Sequence, residues 1–568
     1  MRRFSSIDFL RGTAIVLMLF IHSFMLVLDY GTIGNINNLP LIAMVALLLI
    51  PYMGAMAGFF LLVSAIGNMI SMQRHLQKGK SVKSLAIRQV MGGILLLIFA
   101  VLTEAWIGYH GALGEAIRLN EHALEIGFYR GYHTETIHTI AWCIIINGII
   151  HAYLSRNGKW KHTNQIVKNY LILIVIIVAL TLPVWLLVRQ IVPGYPYATY
   201  NGADRIVQYP LLGKTTIWEY IYLFPLAAIA GHPEPIFPYL AISFAGSIIG
   251  ILMSQKRKKV PLDFPKKGMY LGFIIFLVGL AGLIVTLLDV MMRTSFTGML
   301  DAYLHLFDHR GFTPYGPANT HWFGWLFQFL CVNGAALWVT LFIIYLVEFR
   351  GKGEKFGKKT TTIRRYGFVA FTVYNNQWII YIAHLLVTLM LGLPIYTELG
   401  FGGVFIVMAI TFLMTQVMLI LWEKVDYVGS LEWMMGTIGL QLIPARKKAA
   451  EEKEESVPSE PPCWWKEGCP KVDEAFYNPE WLNIVEESEI NHKNKSESRL
   501  AFKISIIGIF LFPFAILSYN IAKNSFETEN KNKYNKRARL FSIIGIIIGI
   551  TWVTIAVIFT PSSLGISI

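Results

Sequence analysis

A chain of 568 residues that is 55% hydrophobic and 15% charged, with a mean hydropathy of +0.52, lies far outside soluble-domain norms and reads as a polytopic membrane protein. Its formal charge of +14 would otherwise invite a nucleic-acid partner, but the basic residues fall in alternate loops, the distribution that sets membrane topology, so no nucleic acid is expected. Four cysteines, two of them (Cys143 and Cys331) inside apolar runs, exclude a disulfide scaffold.

The first apolar run, Ser6-Ile-Asp-Phe-Leu-Arg-Gly-Thr-Ala-Ile-Val-Leu-Met-Leu-Phe-Ile-His22, carries three ionisable residues. At 100° per residue, Asp8, Arg11, Ile15, Met18 and His22 share an arc of about 90°. Arg11 is expected at the cytoplasmic mouth of this helix, with His22 about 16 Å deeper. Such residues are costly in lipid and mark a pathway or a site. The plainer alternative is an Asp8–Arg11 pair that anchors the helix end, with His22 satisfied by a neighbouring helix.

Further runs of spanning length follow near 42–72, 89–107, 137–155, 169–192, 237–254, 269–292, 323–348, 367–394 and 401–423, with two more near 501–521 and 540–560. The expected fold is therefore all-α: a polytopic membrane helix bundle with a ten-helix core and a C-terminal two-helix module. Pro51 and Gly54 make the second run a kinked span or an interfacial piece followed by a span. The charged first helix lacks a small-residue cleavage site, so no cleavable signal is expected. Arg2 and Arg3, Arg74 to Arg88, Arg156 to Lys168, Lys256 to Lys267, Arg350 to Arg365 and Arg446 to Lys448 mark one side as cytoplasmic, both ends of the core included. The loops 108–136, 193–236 and 293–322 face the other side as the rim of a chamber.

Residues 1–445 form the expected core, 446–500 a charged and aromatic cytoplasmic linker, and 501–568 a membrane module. Trp464-Trp465 and Tyr477 to Trp481 are expected to dock the linker on the membrane surface. Without His or more Cys at ligand spacing, Cys463 and Cys469 are not read as a metal site. The basic stretch Lys523 to Arg539 conflicts with simple alternation, so either the first span of the module is re-entrant or the topology flips at the linker.

Asp8-Phe-Leu-Arg-Gly followed by His22 resembles the opening of the transmembrane acyltransferase superfamily, which includes the type-3 acyltransferases and the heparan-α-glucosaminide N-acetyltransferase catalytic family. Thr136-Ile-His-Thr-Ile-Ala-Trp142 and Pro235-Ile-Phe-Pro-Tyr-Leu through Gly246 and Gly250 are similar to further motifs of that group, in the same order. Gly367-Phe-Val-Ala-Phe-Thr-Val-Tyr-Asn-Asn-Gln377 and Gly429-Ser-Leu-Glu-Trp433 resemble two signatures of a related family of bacterial inner-membrane proteins of unknown function; the family's Gly-Arg and Gly-Pro pairs are Gly367-Phe368 and Gly429-Ser430 here.

The resemblance implies transfer of an acyl group, acetyl in the first instance, from cytoplasmic acyl-coenzyme A to a glycan or lipid-linked acceptor across a prokaryotic cell membrane. The donor is a substrate; no permanently bound cofactor and no metal are called for. His22 is the expected general base or transient acyl carrier, because neutral imidazole can take a proton from an acceptor. His138 with Glu135 and His110 with Glu104 are base-and-orienter candidates on the acceptor side, against a reading as hydrated helix-end anchors. Arg11, oriented by Asp8, would meet the donor phosphates, and Asn375, Asn376 and Gln377 join them as donor-side candidates, against a reading as structural amides. His232 and Glu234 are acceptor-side candidates, with Glu234 alternatively a simple helix cap. In the rim loop, Asp301, His305 and His309 invite a metal reading at helical spacing, but an acceptor rim with His305 and Trp322 is preferred. The rival functions are a transporter or flippase and a non-catalytic scaffold. Partners are membrane lipids, the acyl donor and the acceptor, with homo-oligomerisation left open.

Overall fold

The computed structural model describes residues 2–29, 57–124, 127, 135–191, 200–201, 206–207, 217–230, 234–293, 322–442, 480–486, 496–510 and 512–558. Helix dominates because backbone groups in apolar stretches this long are satisfied within the segment itself. The strands among the described residues are only two residues long. Eight stretches among these residues are long and apolar enough to cross a membrane: Ser5–Val27, Val82–Ile117, Thr136–Leu154, Thr163–Val188, Ile236–Met253, Phe264–Arg293, Leu326–Val347 and Phe401–Glu423. The chain is an integral, multi-pass, all-α membrane protein.

The helices are α1 (Ser5–Val27), α2 (Ala57–Gln77), α3 (Val82–Leu102), α4 (Ala112–Ile117), α5 (Thr136–Leu154), α6 (Thr163–Ile191), α7 (Ile217–Ala230), α8 (Ile236–Met253), α9 (Phe264–Arg293) and α10 (Trp322–Val347). There follow α11 (Gly353–Lys359), α12 (Thr361–Phe368), α13 (Ala370–Asn375), α14 (Ile379–Met390), α15 (Phe401–Glu423), α16 (Leu431–Leu442), α17 (Glu497–Phe510), α18 (Phe512–Glu529) and α19 (Lys533–Ile558). Pro51 and Gly54 lie outside the described residues, and α2 runs past the expected end of its span. The expected span 367–394 is not one helix: it breaks between α13 and α14, at Asn376–Trp378. The amides there bond to local groups, Asn375 Nδ2 to the Phe371 carbonyl at 2.9 Å and Gln377 Nε2 to the Tyr374 carbonyl at 2.8 Å. Side-chain bonds of this kind compete with the helical ladder.

The described residues fall into two compact units. The first holds residues up to 25, the described residues between 57 and 396, and 407–484; the second holds 26–29, 397–406 and 485–558. In the first unit α9 packs along α10, α3 along α5, and α8 against α2 and α6. A buried polar chain ties four of these helices: Gln73 Nε2 meets His151 Nε2 at 3.1 Å, Tyr170 Oη meets His151 Nδ1 at 3.2 Å and donates to Asn147 Oδ1 at 2.8 Å, and Asn147 donates to Ser247 Oγ at 2.5 Å. At the N-terminal end of α1, the Glu348 carboxylate accepts from the Ser6 amide (3.0 Å) and hydroxyl (2.8 Å), satisfying donors that the helix leaves open.

Residues 480–484, expected in a solvated linker, are bound to the core. Arg2–Arg3 pairs in parallel with Glu480–Trp481, the Leu482 amide donates to the Arg3 carbonyl at 2.9 Å, and the Ile484 amide donates to the Glu348 carbonyl at 3.0 Å. Trp481 lies under the buried Arg364 guanidinium, 4.6 Å from ring centroid to Cζ, a cation–π contact that anchors it to the core. Trp464, Trp465, Tyr477, Cys463 and Cys469 lie outside the described residues.

In the second unit, the expected span 501–521 is divided between α17 and α18. These two helices pack against each other and against α19 around the fully buried Ala501, Ala522 and Ala538. With 14 residues, α17 is about 21 Å long, short of a roughly 30 Å hydrocarbon core. The two ends of the hairpin meet: Glu529 accepts from the hydroxyls of Ser496 and Ser498, each at 2.7 Å, and from the amides of Glu497 and Ser498. Lys523 to Arg539 therefore gathers at the end where the hairpin began.

Burial alone raises the Glu529 pKa, but these four donors outweigh it and hold the carboxyl below the ordinary glutamate value. A depressed native pKa contributes stability that is complete above the unfolded value and is lost as pH falls through the native one. The hairpin base is thus expected to loosen below about pH 4, and Glu529→Gln is expected to remove that acid-sensitive component. Amide-exchange protection at Glu497 and Ser498 checks this; the same pH profile in both proteins would refute it.

Candidate functional site

The site forms where α1 meets the breaks in two other helices. After α3 the chain widens into a π-helical turn, Thr103–Ile107, and then turns through Gly108, Tyr109 and His110. Turns of this type are rare and recur at functional sites. They bring Tyr109 and His110 to His22: the Tyr109 ring stacks on the His22 imidazole at 4.9 Å between centroids, and the His110 ring lies 3.9 Å from Tyr109 and 6.3 Å from His22. Tyr109 is held in turn, since Tyr381 donates its hydroxyl to the Tyr109 carbonyl at 2.9 Å.

On the other side of His22 stands Gln377, in the break between α13 and α14, with its Oε1 2.7 Å from His22 Nδ1. Gln377 Nε2 is committed to the Tyr374 carbonyl, so Oε1 must face the imidazole and Nδ1 must carry the proton. The lone pair is thereby left on Nε2, which faces the Tyr109 hydroxyl at 3.3 Å. The tautomer follows from the hydrogen-bond network.

Carboxylates from three elements reach the same region. Glu135, just before α5, takes the Tyr374 hydroxyl at 3.5 Å and is in electrostatic reach of His22 and of Glu234. Glu234, just before α8, is buried; its carboxylate takes the Thr136 hydroxyl and its carbonyl the Thr139 hydroxyl. Glu104 is buried in the π-turn and acts electrostatically on Tyr374, as do Glu135 and Glu234. His138 is buried in the first turn of α5, so the structure does not place it as a hydrated anchor.

At the other end of α1 the geometry departs from the sequence expectation. Asp8 pairs with Arg3, Oδ2 to Nη1 at 3.5 Å, and not with Arg11. The two-residue strand Arg2–Arg3 returns Arg3 beside Asp8, an arrangement invisible to helical spacing. Arg11 points to Gly67 on α2, where a Cβ would come 2.9 Å from its Nη2. Gln377 belongs with His22 rather than beside Arg11: the chain meets α1 near Asp8 and Gly12 already at Gly367, and Gln377, ten residues later, lies at His22. Among the described residues Asn375 Oδ1 is buried without a hydrogen-bond partner, and Asn376 Oδ1 accepts from Trp378 Nε1 at 3.3 Å. His232, Asp301, His305 and His309 lie outside the described residues; Trp322 opens α10, and its side chain lies outside them too.

Tyr109, Tyr374 and Thr136 were not singled out from sequence, although each adjoins or sits within a stretch that was. No protein-family model, curated protein or solved structure matches this chain.

Proposed function

We propose that the chain is a membrane-embedded acyltransferase that moves an acyl group, acetyl in the first instance, from cytoplasmic acyl-coenzyme A to a hydroxyl or amine of a glycan or lipid-linked acceptor on the far side of a prokaryotic cell membrane. The N-terminus and the end of α1 that carries Arg11 are then cytoplasmic. The observation that carries this reading is the His22 imidazole, fixed by Gln377 as the Nδ1–H tautomer, with the lone pair of Nε2 facing the Tyr109 hydroxyl and Glu135 in electrostatic reach. That is the arrangement a general base requires.

In the step proposed, the acceptor O–H gives its proton to His22 Nε2 as its oxygen attacks the thioester carbonyl. The C–S bond then breaks, and the departing thiolate takes that proton back from His22 Nε2 to leave as free coenzyme A, which returns the imidazole to its neutral form. The imidazolium formed lies within electrostatic reach of Glu135 and keeps its Nδ1–H bond to Gln377. Arg11, about 16 Å along the same helix, is not paired with Asp8 and supplies a guanidinium for the donor phosphates.

The test is saturable binding of radiolabelled acetyl-coenzyme A to the purified full-length protein. Arg11→Ala is expected to weaken it about ten- to hundredfold, the scale of a charge-assisted contact. Absence of any interaction between the native protein and acyl-coenzyme A would overturn the reading and favour transport or scaffolding.

A further inference from the structure

The motif Gly429-Ser-Leu-Glu-Trp433 has no part in the step above, yet its carboxylate is built into the support of the site. Gly429 adopts φ +84°, a left-handed conformation suited to glycine, and the chain then enters α16 with Glu432 in its first turn. Glu432 Oε1 accepts from the amides of Phe371 (2.6 Å) and Thr372 (3.3 Å), and Oε2 accepts from the Thr372 hydroxyl at 2.5 Å. The same hydroxyl accepts from the Leu431 amide at 2.8 Å, so its donor and acceptor capacities are both used.

These bonds fall on the first turn of α13, a helix of six residues. A helix so short does not hold itself in place by propensity, and its leading amides need an external acceptor. From Thr372 the connection to the imidazole is short. The Asn376 amide donates to the Thr372 carbonyl at 3.0 Å, the Tyr374 carbonyl fixes Gln377 Nε2, and Gln377 Oε1 fixes His22 Nδ1.

We propose that Glu432 is a positioning residue for His22, acting through Thr372 and Gln377 to hold the imidazole in one tautomer and orientation. This rests on the reading of His22 as the acting base, and it assigns the two late sequence motifs to one mechanical unit. One motif supplies the amide that touches the histidine. The other supplies the carboxylate that holds the helix just before that amide.

The experiment uses the full-length protein in detergent and follows carbethoxylation of His22 by diethyl pyrocarbonate, read by mass spectrometry of the His22 peptide across pH. Gln377→Ala is expected to change the His22 rate at least about fivefold, the lower end of coupling through a shared network, and to move the midpoint of the pH profile. Glu432→Ala is expected to reproduce the change in direction and size, and the double variant to add nothing further. Glu432→Gln, whose amide oxygen still accepts from the Phe371 and Thr372 amides, is expected to fall between Glu432→Ala and the native protein. If Glu432→Ala does not fold, Thr372→Val removes the same hydroxyl bond from the other partner and carries the test. A native His22 rate and midpoint in Glu432→Ala or Thr372→Val, with Gln377→Ala altered, would overturn the proposal, as would multiplicative effects in the double variant. The readout needs no acyl donor, so a failure of the acyltransferase reading would show separately, as absence of transfer by the native protein.

Discussion

Replacing His22 by alanine is expected to abolish acyl transfer while leaving the protein inserted and folded. The imidazole is the only group on α1 placed to take a proton at this end of the helix, and removing a positioned general base costs about 10² to 10⁴ in rate. The fold has less at stake: His22 is half-buried, and its loss gives up two side-chain hydrogen bonds, to Gln377 and Tyr109, worth about 1 kcal/mol each. The check is transfer of a labelled acetyl group by purified protein that elutes from size exclusion as the native does. Retained turnover would remove His22 from the chemistry. A stable label on the histidine of the native protein, with turnover lost in the variant, would assign it the acyl-carrier role instead of the base.

A comparable loss, this time of the fold, is expected from Gly367→Val. At this crossing α1 and α12 touch backbone to backbone: a Cβ on Gly367 would stand 2.6 Å from the Asp8 carbonyl oxygen, and one on Gly12 would stand 1.9 Å from that of Ile363. Neither neighbour is the far end of a flexible side chain, so a branched residue forces the helices apart. Close approach through small residues is how membrane helices gain contact in the absence of a hydrophobic drive between them. The expected cost is about 3 kcal/mol, the upper part of the overpacking range, seen as a lowered melting temperature in detergent. His22 lies on α1 and Gln377 on the segment that follows α12, so the His22–Gln377 contact is expected to fail as well. A Gly367→Val protein that melts with the native would show that the crossing is not tight.

Much of this architecture is legible in the residues. Among the described residues, eight of the apolar runs lie where hydropathy places them, because a segment that buries its own backbone groups needs no partner to be recognisable. The break at Asn376–Trp378 is not among the sequence expectations: the three amides in a row read as bonded groups inside one span, and it is their local hydrogen bonds that accompany the interruption. His22 stood out, since an ionisable group among Leu, Ile and Phe needs compensation. The reading was less successful where it paired residues by helical spacing. Asp8 and Arg11 satisfy the i,i+3 rule, yet Asp8 takes Arg3, which a two-residue strand pairing with Glu480–Trp481 holds beside it.

What the sequence by itself determined is a property of segments: which stretches are apolar and long, which loops are basic, and which polar residues are out of place among their neighbours. Those signals are local, since hydrophobic transfer and backbone satisfaction act residue by residue. Tertiary structure alone decided which of the misplaced polar residues share a site. Gln377 reaches His22 across 355 positions, and Glu432 reaches Thr372 from a separate helix. Hydrogen bonds depend on distances of about 3 Å, and no periodicity within a single helix specifies which side chain of another will be there.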